Sequence, residues 1–161
     1  MPKIPVKASI AYDTKKKKFA ATKIRVLPAH DLRDAKSLIR NSKPKVIVAD
    51  KAYDANWLHE YCNERGIKAH IPIKKKGKPR HSRWNARGLA SKRFRVRTYH
   101  RRELGESGNS SAKRKFGVSV SSKKVRTIRT EIYGRLVCHN LFSYILRLLG
   151  QSQYVRLSRK S

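Results

Sequence analysis

Apolar positions at the start of the chain alternate. Val6, Ala8, Ile10 and Tyr12 recur every second residue, which predicts a strand over residues 6–12. Asp13-Thr14-Lys15-Lys16 reads as a turn, and residues 19–27 as a second strand with Ile24 and Val26 on one face. Together they predict an antiparallel hairpin whose solvated tip carries the lysines 15–18. The period then changes. Pro28 closes the second strand, and Asp31 stands where an N-cap belongs. Leu32, Ala35, Leu38 and Ile39 follow at helical spacing until Asn41, Ser42 and Pro44 end the helix.

Residues 45–49 form a short continuous run of β-branched type. This predicts a strand buried on both faces, with Asp50 at its C-terminal end. Residues 51–53 read as a loop, and Asp54 as a second N-cap for a helix through Trp57, Leu58, Tyr61 and Cys62. Gly66 suits the position just past its end. Residues 67–73 read as a further strand. Alternating strands and helices predict an α/β fold, a mixed sheet with flanking helices.

Residues 74–98 break the pattern with a strongly cationic run, read as a mobile insert that includes Trp84. Residues 99–118 read as a helix, although Gly105 and Gly108 lower its propensity. Val125, Ile128, Ile132, Leu136, Leu141, Ile145 and Leu148 then mark a long helix packed on the sheet. Residues 151–161 read as a frayed polar tail beyond one domain spanning residues 1–150.

Charge narrows the function. Forty-one lysines and arginines against ten acidic residues give a net charge of +31. Such a chain repels itself when compact, so a polyanion is the expected partner, and nucleic acid the first choice. No apolar run is long enough to span a bilayer. Cys62 and Cys138 make no disulfide framework, which suits reduced thiols in a cytoplasmic, nucleoid-associated protein.

In so basic a chain, two carboxylates stand out. Asp50 lies just past a strand end, where α/β sheets place ligands, and a turn cap is the equally open reading. Glu106 is preceded by Tyr99 and Arg102 and followed by Lys113, at i, i+3, i+7 and i+14. On one helix these project along one face and offer a phenol, a guanidinium, a carboxylate and an ammonium. The cations suit a phosphate strand and the carboxylate a metal, while a plain solvated helix face is the competing reading. His59 and Cys62, three residues apart, lack a second pair and read as ordinary helix packing rather than a zinc site.

Tyr99-x2-Arg102-x3-Glu106-x6-Lys113 resembles, position for position, the Tyr-Arg-Glu-Lys signature of DDE transposases of the insertion-sequence four/five superfamily. Residues 46–54 are similar to that family's second-Asp segment, with Ala52 where Gly is commoner. Residues 67–76, the opening strand and residues 131–135 also resemble the family, so the likeness runs over roughly residues 6–145.

The resemblance implies a ribonuclease-H-like five-stranded mixed sheet, and DNA strand cleavage and transfer with Mg2+, for which Mn2+ can substitute. It implies Asp50 and Glu106 as catalytic, metal-holding carboxylates, and Tyr99, Arg102 and Lys113 as contacts to transposon-end DNA. The family's first catalytic Asp lies on a strand upstream of this hairpin, and no residue here stands in that place. Asp13 fits a turn, and Asp31 a helix cap. The expectation is therefore an N-terminally truncated catalytic domain, weak or inactive alone. It would work as a homodimer or with a complementing N-terminal fragment. The alternative is a non-catalytic basic nucleic-acid binder, ribosomal or architectural.

Overall fold

The predicted hairpin forms. In a computed structural model, which describes residues 6–26, 30–74 and 85–150, β1 (Lys7–Asp13) pairs antiparallel with β2 (Lys18–Arg25). Asp13 sets the turn: its Oδ1 accepts from the amides of Lys15 and Lys16, both at 2.9 Å. A carboxylate that folds back on the next two amides is a turn device.

α1 (Leu32–Ser42) packs across both strands of the hairpin with Ala35, Leu38 and Ile39 buried. Asp31 holds the N-cap position, but its side chain makes no cap bond and instead pairs with Lys7 at 2.6 Å. Inside the helix, Asp34 is fully buried. It accepts from Ser9 Oγ at 2.9 Å and Arg25 Nε at 2.8 Å, which ties α1 to β1 and β2. Burial alone would raise the Asp34 carboxyl, but the bonds from Arg25 and Ser9 outweigh it and hold it below the ordinary value.

β3 (Val46–Val48) pairs in parallel with β4 (Lys68–His70). Between them run a 3-10 turn (Lys51–Tyr53) and α2 (Asn56–Glu64). Leu58 and Cys62 of α2 join Ala35, Ile39, Ala69 and Ile71 in one core cluster, so α1 serves both sheets. Gly66 takes the left-handed conformation after α2 (φ 64°), as its position predicts.

Several expectations change here. Among the described residues the strands form two separate pairs, not one mixed sheet. β3 is not buried on both faces: it pairs on one side only, and Val46 is exposed. Asp54 is not a cap either, because Ala55 holds that position and Asp54 turns inward. The start of the expected basic loop, residues 75–84 with Trp84, lies outside the described residues, as do residues 27–29 and the 151–161 tail.

The remainder of that loop is helical. α3 (Ala86–Arg93) begins at Asn85, whose side chain accepts from the Gly88 amide at 2.7 Å, and it packs on α2 and β4. α4 (Val96–Tyr99) follows, then a turn at His100 and Arg101, then α5 (Arg102–Phe116). The helix expected over residues 99–118 is thus broken after Tyr99.

α6 (Val125–Gly150) matches the predicted long helix. Ile128 and Leu136 are buried, and Leu136 joins Phe19 and Ala112 in a second core cluster. Its side chains also cover the outer edge of β2. Asn140 accepts from the Phe19 amide (2.8 Å) and donates to the Phe19 carbonyl (2.9 Å), while Tyr133 donates to the Thr22 carbonyl (3.2 Å). Past Asn140 the helix overshoots the strand, so Leu141, Ile145 and Leu148, expected in the core, are exposed.

Candidate nucleic-acid interface

The glycines that weaken α5 also position it. Gly105, Gly108 and Ala112 lie on one face of the helix. A Cβ on Gly108 would stand 2.5 Å from the Tyr12 ring, so the absent side chain lets α5 press against β1. Ala112 is buried in the same contact. Helical geometry turns about 100° per residue, which gathers Arg102, Glu106 and Lys113 within an arc of about 40° on a different face. Glu106 and Lys113 are exposed there, and Arg102 is half-buried.

Arg102 Nη1 donates to Glu106 Oε1, a pair one helical turn apart. Tyr99 sits on α4 and so misses the face of α5, but its ring lies 5.8 Å from the Arg102 guanidinium carbon. The Tyr99 ring is held from behind by Phe94 at 5.6 Å, and Phe94 by His70 of β4 at 6.2 Å. The Arg95 amide donates to His70 Nδ1 at 3.1 Å. An aromatic ladder therefore runs from β4 to the start of α5. Tyr99, Arg102 and Glu106 are contiguous, and Lys113 stands about 10 Å further along the helix.

Asp50 is exposed and its Oδ1 accepts from the Lys51 amide at 2.5 Å, capping the 3-10 turn. No hydrogen bond or ion pair joins it to Glu106 among the described residues. Beside it, burial pushes the Tyr53 phenol up to about 12, with Asp31, Asp34 and Asp50 adding to the shift.

The interior carboxylate next to the candidate site is Asp54, four residues on. His59 Nε2 lies 3.0 Å from its Oδ1, Arg87 Nε donates to Oδ1 at 2.9 Å and Arg87 Nη2 to Oδ2, and the Lys74 amide donates to Oδ2 at 2.7 Å. Burial would raise the Asp54 carboxyl, but Arg87, the Lys74 amide and His59 together leave it below the ordinary value. This cluster fastens α2 to α3. Position alone does not distinguish Asp54 from a cap, because its partner Arg87 lies 33 residues away. Nε2 of His59 is engaged by this pairing, and burial pushes the Cys62 thiol up to about 11.

At the far end of α5, Glu131 of α6 ties down the connecting loop. Hydrogen bonds from Ser122 and Ser121 hold its carboxyl at about 2, and Arg135 donates to it at 2.5 Å.

A divalent metal in this chemistry needs several carboxylate oxygens at one point. All ten acidic residues of the chain lie within the described residues, and no group of three Asp, Glu, His or Cys able to hold a metal occurs among them. Asp50 and Glu106, each exposed and each with its own partner, do not make a cage. No helix of the described residues is long and apolar enough to cross a membrane.

No curated protein and no solved structure matches the chain. Residues 4–141 match the family described as the transposase DDE domain. That match takes in the hairpin, the Asp50 turn and the whole of α5, and by it the chain belongs to the transposase DDE domain family.

Proposed function

We propose that the chain is the C-terminal part of the catalytic domain of an insertion-sequence transposase bearing the Tyr-Arg-Glu-Lys signature, with a ribonuclease-H-like ancestry. It binds DNA at transposon ends. The observation that carries this reading is the contiguous set Tyr99, Arg102 and Glu106, backed by the aromatic ladder and continued by Lys113 on the same face of α5. Arg102 and Lys113 contact phosphate oxygens, and Tyr99 stacks against the strand. Asp50 and Glu106 are two of the carboxylates that would hold the Mg2+ required for strand cleavage and transfer. A second copy or a complementing fragment completes the set, so the 161-residue chain by itself cleaves weakly or not at all.

The test is Mg2+-dependent nicking of a transposon-end duplex by the purified chain. Binding without robust nicking is the expected result. Robust nicking that vanishes in Asp50→Asn and Glu106→Gln would overturn the claim of weak activity.

A second reading is a basic nucleic-acid binder without catalysis. It is favoured by the separate partners of Asp50 and Glu106. It requires binding that is strongly salt-dependent, indifferent to Mg2+ and indifferent to both carboxylates.

A further inference from the structure

Away from α5, a cavity of about 600 Å³ opens between α2, β4 and α3. Its volume is in the range that encloses a small organic ligand. Two kinds of surface meet in its wall. Lys68, Arg93 and Arg95 supply positive charge, and among the described residues no Asp or Glu forms a salt bridge with any of them. Ala86, Leu89 and Ala90, along one side of α3, supply apolar surface. Beneath them lies His59, whose side chain has no exposure and whose Nε2 faces Asp54.

This wall asks for an anion to meet the cations and a flat apolar body to lie against α3.

We propose that this cavity is a nucleotide-binding site. Lys68, Arg93 and Arg95 take the phosphate, and the alanine-lined side of α3 takes the base. The nucleotide is either free or one residue of a single strand; both present the same groups. This site is separate from the face of α5, and its fate is independent of whether the chain cleaves DNA.

A chain of charge +31 attracts any phosphate, so the test must hold charge constant. Ala90→Trp fills the cavity and leaves every charge in place. Binding is measured by calorimetry at high salt with three probes: adenosine monophosphate, inorganic phosphate and a short single-stranded oligonucleotide. The wild-type chain is expected to bind the nucleotide at least about tenfold more tightly than phosphate, and Ala90→Trp to erase that preference. If only the oligonucleotide binds, and Ala90→Trp weakens it about tenfold, the site takes a nucleotide within a strand. Should Ala90→Trp lose its native circular dichroism, Ala86→Trp, which fills the same wall and also leaves every charge in place, replaces it with the same expected losses. Equal affinity for nucleotide and phosphate, together with oligonucleotide binding that neither variant changes, overturns the proposal.

Discussion

The Asp54 cluster and the outward face of α5 both set a carboxylate against an arginine, and they are built for opposite ends. The side chain of Asp54 has no exposure and that of Arg87 is 15% exposed, whereas Glu106 and Arg102 stand at 57% and 36%. Asp54 also receives a backbone amide and an imidazole, so removing it leaves three groups without their acceptor. Glu106 has Arg102 alone, in water. An exposed pair of this kind is worth about 0–1 kcal/mol, so both members can change partner at little cost. A contact meant to hold the fold is sealed. One meant to meet a phosphate strand is held ready and lightly.

The sharpest way to break this contrast is Asp54→Ala. It is expected to cost about 3–5 kcal/mol, read by denaturant unfolding, because it leaves the Arg87 guanidinium without its counter-charge and His59 and the Lys74 amide without their partner. A cost below about 1 kcal/mol would place the cluster with the exposed pairs.

Acid probes the same interior more gently. Burial lowers the pKa of His70, helped by Arg95 and Lys68, and that of His139, helped by Lys115. Both are lower folded than unfolded, so the unfolded chain binds protons first and stability falls as pH drops below the ordinary 6.5. Asp34 and Asp54 carry the same sign. Their contribution is complete above the ordinary 3.8 and is lost as pH falls through their lower folded values. Two successive losses of melting temperature are expected on acidification. A melting temperature that stays flat from pH 7 to pH 5 would contradict the histidine step.

The smallest stability effect belongs to α5. Arg102→Gln and Glu106→Gln should each change stability by less than about 1 kcal/mol. Arg102→Gln should weaken end-DNA binding and lower its salt slope by about one. A stability loss as large as that of Asp54→Ala would show that this pair, too, is architecture.

How much of this is legible in the sequence depends on how far each cause reaches along the chain. The hairpin, α1 and α6 follow from local periodicity and turn chemistry, and Asp13 declares its turn within three residues. The spacing of Arg102, Glu106 and Lys113 is legible for the same reason: one helix carries all three. What the chain hides is non-local. α3 shows little apolar periodicity, and its stability comes from the Asn85 cap and from Arg87 reaching Asp54 across 33 residues. Gly105 and Gly108 look like helix breakers until Tyr12 of β1 occupies the space they leave. The turn after Tyr99 carries no proline or glycine, so the sequence runs through it without a mark. Asp50 kept two meanings because a turn cap and a ligand position want the same residue at the same place.

The Asn140 amide, bonded to both backbone groups of Phe19, gives the hairpin a polarity it would otherwise lack. With Tyr133 on Thr22, it stops β2 from acting as a template for another chain, the hazard that bare strand edges carry. β1 is met instead by α5, through Gly108 against Tyr12. From Phe19 to Thr22 this sheet is therefore closed to a further strand from any polypeptide.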